Sequence, residues 1–269
     1  MNVEPARTDA ADKQQWVSID ADVLHHATTR LQDRGLSAVL YGSYARGTAT
    51  QTSDIDVLQL VRTRPGSASN GNVNITRYRP TALRIMAERG SLFVLHLRLE
   101  SYVMYDDECL FSKALDAYRP PASYEPLYDE VKRAAAVLQP ATDAPKYLAK
   151  LQRLGVYLIR TALYARLAEQ GRPTFDVMKA CQEFSSEDVK HALQRRHVKF
   201  SSADDLSSLR VALEHIVGPI EENDFDSVEG LAVHLSADDR LSSQLIANVL
   251  TSTSPEIDYA HLLPPILQQ

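Results

Sequence analysis

The chain has 269 residues, 44% of them hydrophobic and 24% charged, the composition of an ordinary globular protein with enough apolar sequence for one large domain or two modest ones. No run approaches the ~20 apolar residues of a membrane span, and the start of the chain has neither the basic nor the apolar segment of a secretory leader, so the expectation is a soluble, cytoplasmic protein. A formal net charge of −6 removes any global pull toward nucleic acid, and two cysteines, Cys109 and Cys181, far apart and without C-x-x-C spacing, give no sign of zinc or redox work; both read as reduced, buried thiols.

The first fifteen or so residues are polar and without period. Asp20 then reads as the N-cap of a helix ending near Gly35, with Val23, Leu24, Ala27 and Leu31 on one face. Ser37 to Tyr41 is a short apolar run followed at once by Gly42 and Ser43, which predicts a buried strand ending in a turn. Ile55 to Val61 predicts a second strand, residues 65–71 a loop rich in Gly, Ser and Asn, and Asn72 to Tyr78 a third strand. In that third strand, period two sets Val73 and Ile75 on one face and Asn74 and Thr76 on the other. Residues 81–90 read as helix, and 92–105 as apolar, partly strand-like sequence.

Pro120 and Pro121 break regular structure, and everything beyond them has a helical pattern, which places a domain boundary between residues 119 and 120. Helices are expected over about 124–138, 145–171, 175–184, 187–196 and 203–217, with two more before Ser252. The 145–171 segment carries Leu148, Leu151, Leu154, Leu158, Thr161, Ala162 and Ala165 at helical spacing and reads as the spine of a bundle. Ser185 and Ser202 read as N-caps with acids in the turn that follows. Tyr157, Arg160 and Tyr164 could line an acceptor cleft or simply pack, and Lys190, Arg195, Arg196, His197 and Lys199 form a basic cluster of the kind that usually solvates a helix end. The expected fold class is α+β: an N-terminal domain (1–119) with a small mixed sheet and flanking helices, then an all-α helical bundle (120–269).

The chemistry sits between Tyr41 and Val57. A strand that runs into Gly42 and Ser43 at the mouth of a helix offers backbone N–H groups, a hydroxyl and a helix dipole to a phosphate. A few residues later Asp54 and Asp56 are spaced so that an extended backbone aims both carboxylates from one face. Such a pair repels itself without a cation between, and Mg²⁺ takes one or two carboxylates plus substrate phosphates. Either element alone is ordinary; their order and spacing make the signal specific.

Gly42 and Ser43, then Arg46 and Gly47, then Asp54, Ile55 and Asp56 closely resemble the signature of the polymerase-beta-like nucleotidyltransferase superfamily. The stretch looks most like small prokaryotic members, the minimal and antibiotic nucleotidyltransferases that pair this domain with a helical C-terminal one. The resemblance implies that Asp54 and Asp56 ligate Mg²⁺ or Mn²⁺, that Gly42 and Ser43 hold a donor triphosphate, and that Arg46 supports the turn or the phosphates. It implies an NTP donor, ATP first among them, and a hydroxyl acceptor: a small molecule such as an aminoglycoside, a protein side chain or an RNA end. Members of the superfamily carry a third carboxylate on a later strand, and the matching position here is Asn74, whose amide can ligate through oxygen but cannot take a proton. His96 and Glu100 are candidate substitutes. The alternative reading is a catalytically weakened nucleotide-binding module that acts through a partner in a toxin–antitoxin or defence system.

Overall fold

The computed structural model describes residues 20–31, 35–198, 202, 204–238 and 240–251. The N-terminal stretch, residues 32–34 of the first expected helix, and Lys199 of the basic cluster lie outside the described residues. Two compact units emerge, one of residues 1–78 with 100–107 and one of residues 79–99 with 108–269.

The first unit is an α+β sheet layer. Helix α1 (Ala21–Thr28) starts at Asp20, whose side chain accepts from the Asp22 N–H at 2.8 Å, a local cap that holds the first turn. It is followed by β1 (Ser37–Tyr41), the single-turn helix α2 (Ser43–Arg46), β2 (Ile55–Leu60), β3 (Gly66–Asn70), β4 (Val73–Tyr78) and, after an excursion through the other unit, β5 (Tyr102–Asp106). The five strands lie in the order β3-β4-β2-β1-β5. Only β2 and β4 run parallel; the other neighbours are antiparallel, so the sheet is mixed.

Alternation along the strands sorts the two faces. Leu40, Ile55, Val57, Val73 and Ile75 form one buried cluster with Ala27 of α1, and Val23 of α1 and Leu31 just beyond it pack against that cluster. The opposite face carries Tyr41, Asp56 and Asn74 side by side in the registers Tyr41↔Asp56 and Asp56↔Asn74. The expected face assignment of β4 therefore agrees with the structure.

Residues 66–70 are a strand rather than the expected loop. All five are exposed, and they pair antiparallel with β4 as the edge of the sheet. The hairpin is closed by Gly71 and Asn72, with Gly71 at φ +64, the positive backbone angle that tight hairpin turns demand. Likewise, residues 92–105 split into a helix, α4 (Leu92–Glu100), and the edge strand β5. The six apolar residues among the nine of α4 lie so close together that periodicity gives little preference for helix or strand.

The second unit is helical. It contains α3 (Pro80–Glu88), α4, α5 (Leu110–Asp116), α6 (Glu125–Ala135), α7 (Ala144–Glu169), α8 (Val177–Phe184), α9 (Glu187–Gln194), α10 (Asp204–Val217), α11 (Val228–Ser236) and α12 (Leu241–Thr251). α7 is the spine: Leu151, Leu154, Leu158, Ala162 and Ala165 are all fully buried in a core shared with α6, α10, α11 and α12. Gly155 marks the closest approach of α10, because a Cβ there would stand 2.6 Å from Leu209 Cδ1. Asp143 ties the start of α7 to α11 by accepting from the Val228 and Glu229 N–H groups at 2.7 and 3.1 Å, donors that a helix start leaves unsatisfied.

The packing units interleave along the chain. Helices α3 and α4 group with the C-terminal helices because Leu92 and Leu95 pack on the helical core and Arg119 N–H bonds to the Ala87 carbonyl. Three smaller expectations change as well. Ser186, not Ser185, caps α9 by accepting from Val189 N–H, while Ser185 is the left-handed C-cap of α8. Cys109 is exposed and only Cys181 is buried. Lys190 and Arg195 of the basic cluster pair with Glu187 and Asp205, so local acids answer the charge. No described helix is long and apolar enough to cross a membrane.

Candidate active site

The site grows from the end of β1. Gly42 has φ +76 and ψ −150, a region that side-chain-bearing residues avoid, and it lets the chain leave the sheet and turn at once into α2. Arg46 N–H closes the single turn on the Gly42 carbonyl at 3.1 Å, and Gly47, left-handed at φ +74, ends it. Thr48 N–H returns to the Ser43 carbonyl at 2.9 Å. In a helix this short the N–H groups of Ser43, Tyr44 and Ala45 have no acceptor within the turn. They, together with the Ser43 hydroxyl, are the groups that can face an anion; four residues give too few aligned peptides for the helix dipole expected from the sequence to matter.

A second turn delivers the carboxylates. Ser53 Oγ accepts from Thr50 N–H at 2.9 Å while Ser53 N–H bonds back to the Thr50 carbonyl at 3.0 Å. This closed turn sets Asp54 immediately ahead of β2, exposed and one residue outside the sheet ladder. Asp56 lies within β2, half-buried, between Tyr41 of β1 and Asn74 of β4.

The structure brings Asp56 and Gly42 into contact. A Cβ built on Gly42 would stand 2.7 Å from Asp56 Oδ2, so the carboxylate occupies the space that glycine leaves open. Asn74 closes the other side, its Nδ2 donating to Asp56 Oδ1 at 3.4 Å, a long bond. Asn74 thus faces Asp56 directly across the β2–β4 register. An amide there donates a weak hydrogen bond instead of adding a third like charge.

Arg46 and Glu100 form an ion pair at 2.7 Å, with side chains 17% and 13% exposed. Glu100 therefore holds Arg46 of the turn. His96 lies in the helical unit, its ring stacked on Phe175 at 4.4 Å. Tyr157 and Tyr164 are buried in the helical core, and Tyr164 donates to the Phe175 carbonyl at 3.0 Å. Sequence reasoning missed Gln59, which is fully buried in the central strand and accepts from Arg77 Nε at 3.3 Å. Register is the signal that finds it, because Gln59 and Arg77 are direct partners across β2 and β4.

The donor set fits a small divalent cation. Mg²⁺ asks of a protein one or two carboxylates and leaves its other positions to water and substrate phosphate. Asp54 and Asp56 are the two acids here that could supply them; the described residues contain no group of three or more His, Cys, Asp and Glu side chains suited to a metal. Such an arrangement can seat a triphosphate by backbone N–H groups and balance its charge beside two acids.

Comparison with curated proteins finds no match for the chain. Comparison with protein families matches residues 27–78 to the family described as a nucleotidyltransferase domain. The matched segment runs from the end of α1 to the end of β4 and contains the Gly42 turn, Asp54, Asp56 and Asn74. Residues 27–78 thus match a nucleotidyltransferase domain, which is consistent with the polymerase-beta-like nucleotidyltransferase superfamily.

Proposed function

We propose that the protein transfers a nucleoside monophosphate from an NTP, with ATP as donor, to a hydroxyl acceptor and releases pyrophosphate. Gly42 and Ser43 receive the triphosphate through the N–H groups at the start of α2 and the Ser43 hydroxyl. Asp54 and Asp56 would hold Mg²⁺ or Mn²⁺, which supplies charge neutralisation for the triphosphate and the leaving pyrophosphate. Arg46, fixed by Glu100, stiffens the turn beneath the phosphates. The acceptor oxygen attacks the α-phosphorus in line, the bond to the bridging oxygen of the β-phosphate breaks, and the acceptor proton passes to solvent because Asn74 cannot take it. The rate gain comes from positioning and from fixed charge. The observation that carries this reading is the contact between the Gly42 turn and the Asp56 carboxylate.

Label transfer tests it. Purified full-length protein, Mg²⁺ and each α-labelled NTP are incubated with a cell lysate, and pyrophosphate release and label incorporation are followed together. Both are expected with ATP and both are expected to vanish in the double variant Asp54→Ala, Asp56→Ala at unchanged helicity. Transfer that survives the double variant contradicts the assignment. Asn74 favours a second reading, a nucleotide-binding module with lost turnover that works through a partner in a toxin–antitoxin or defence system. Metal-dependent ATP binding with no transfer to any acceptor supports that reading instead.

A further inference from the structure

One row of residues crosses the sheet on the face that carries Asp56. The registers Tyr41↔Asp56, Asp56↔Asn74 and Ser69↔Asn74 set these residues side by side on β1, β2, β4 and β3. Partners in register share a face, so Ser69 of the edge strand stands on the same face as Asp56, two strands away. The row opens to solvent there. All of β3 is exposed, and a Cβ built on Gly66 or Gly71, which bracket residues 67–70, would meet nothing within 4 Å. The Ser69 hydroxyl makes no hydrogen bond among the described residues, so it is free to approach a ligand.

The Asp56 carboxylate faces both ways along this row. A Cβ on Gly42 would stand 2.7 Å from its Oδ2, while its Oδ1 accepts from Asn74 Nδ2 at 3.4 Å. The phosphate seat at Gly42 and Ser43 is therefore on the β1 side of the carboxylate, and Ser69 is on the β4 and β3 side. In-line displacement needs that order, with the attacking and leaving oxygens on opposite sides of the phosphorus. The reach agrees as well. Strands lie about 4.8 Å apart, which puts the backbone of Ser69 roughly 10 Å from that of Asp56. The path from a metal-binding carboxylate to an attacking oxygen is of similar size, with metal–oxygen distances of about 2 Å and an attack distance of about 3–3.5 Å.

We propose that Ser69 is itself a nucleotidylation target of this chain's own site, a reading that rests on the nucleotidyl transfer proposed above. Ser69 Oγ attacks the α-phosphorus of the bound ATP. The Oγ–P bond forms, the bond from that phosphorus to the bridging oxygen breaks, pyrophosphate leaves, and the serine proton passes to solvent. Ser69 is left carrying one adenylate as a phosphodiester. Ser67 has the same chemistry and shares the face, but it lies in register with Thr76 and Leu58, outside the row that contains Asp56.

The test incubates the purified full-length protein with α-labelled ATP and Mg²⁺, with and without lysate, and reads the mass of the chain and of its labelled peptide. One adenylate per chain, on Ser69, is expected without lysate, at a rate per chain independent of protein concentration because the row lies within one unit. Ser69→Ala should lose this label and Ser67→Ala should keep it. A second measurement needs no turnover. In Ser69→Cys, with Cys109→Ser removing the exposed native thiol, a nonhydrolysable ATP analogue with Mg²⁺ should slow alkylation at position 69 roughly tenfold, because the nucleotide covers it. Unchanged alkylation overturns the placement, and a rate per chain that rises with concentration overturns transfer within one chain. Label that reaches the lysate but not Ser69, or that lands on another residue of the chain, overturns this inference and leaves the proposed function standing. Label on neither lysate nor chain overturns the transfer reading and this inference with it.

Discussion

Gly42→Ala places a methyl group where the structure has room only for hydrogen. The new Cβ would stand 2.7 Å from Asp56 Oδ2, inside normal contact distance, and the backbone at φ +76 and ψ −150 is one that alanine resists. Strain of this kind costs about 1–3 kcal/mol. In a unit of this size each kcal/mol lowers the melting temperature by about 4–8 °C. The chemical consequence is larger than the thermal one. Relief of the clash requires the Asp56 carboxylate or the Gly42 turn to move by a sizeable fraction of an ångström, and misplacement by about 1 Å can cost a factor of about 10² in rate. Transfer from α-labelled ATP and thermal melts followed by circular dichroism measure the two effects separately. Gly71→Ala is the control: it too has a positive φ, +64, but a Cβ there meets nothing within 4 Å. It should lower the melting temperature and leave transfer intact. A Gly42→Ala protein with native transfer rates, or a Gly71→Ala protein with an equal loss of transfer, refutes the coupling of turn to carboxylate.

Asn74→Asp restores an acid beside Asp56 and should maintain or raise transfer while leaving the fold intact; a large loss of activity at unchanged thermal stability contradicts the assigned place of Asn74. Removing either partner of the Arg46–Glu100 pair takes a 2.7 Å ion pair from a largely covered charge and should cost about 1–3 kcal/mol in urea unfolding. A double-mutant cycle with Arg46→Met and Glu100→Gln should give a coupling of roughly 0.5–3 kcal/mol, and strictly additive losses count against the pair. The two thiols should differ sharply in reactivity at pH 8. Cys109 is exposed and should react at once with a thiol reagent, whereas burial pushes the Cys181 thiol above its ordinary range and should keep it slow until the protein unfolds. Because the folded state holds that proton more tightly, the contribution of Cys181 to stability is complete below the ordinary thiol range and is lost as pH rises through the raised value. Two fast thiols would contradict the burial.

The helices of the C-terminal half were legible because their signals are local. The leucines and alanines of α7 recur at helical spacing over 26 residues, and Gly171 with Pro173 marks the end. β1 and β2 were legible as short, largely apolar runs, and β4 by its alternation of Val73 and Ile75 with Asn74 and Thr76. The edge strand β3 was not, because an exposed strand of Gly, Ser, Ala and Asn carries no apolar alternation; its clue was the Gly71-Asn72 pair. The interleaving of the units was also hidden, since the grouping of α3 and α4 with the C-terminal helices depends on tertiary contacts of Leu92, Leu95 and Ala87. At the site, the residue types and their spacing could be read in advance, but the partner of Arg46 could not. Glu100 reaches it across 54 residues of sequence, a proximity that only sheet closure through β5 creates.

Binding of Mn²⁺ tests the central claim most directly. The ion is titrated into the full-length protein with a nonhydrolysable ATP analogue, and free Mn²⁺ is read by electron paramagnetic resonance. Saturable, nucleotide-dependent uptake is expected in the native protein, with loss of that uptake in the double variant Asp54→Ala, Asp56→Ala at native helicity. Uptake that is unaltered in the folded double variant would show that these two carboxylates do not hold the cation.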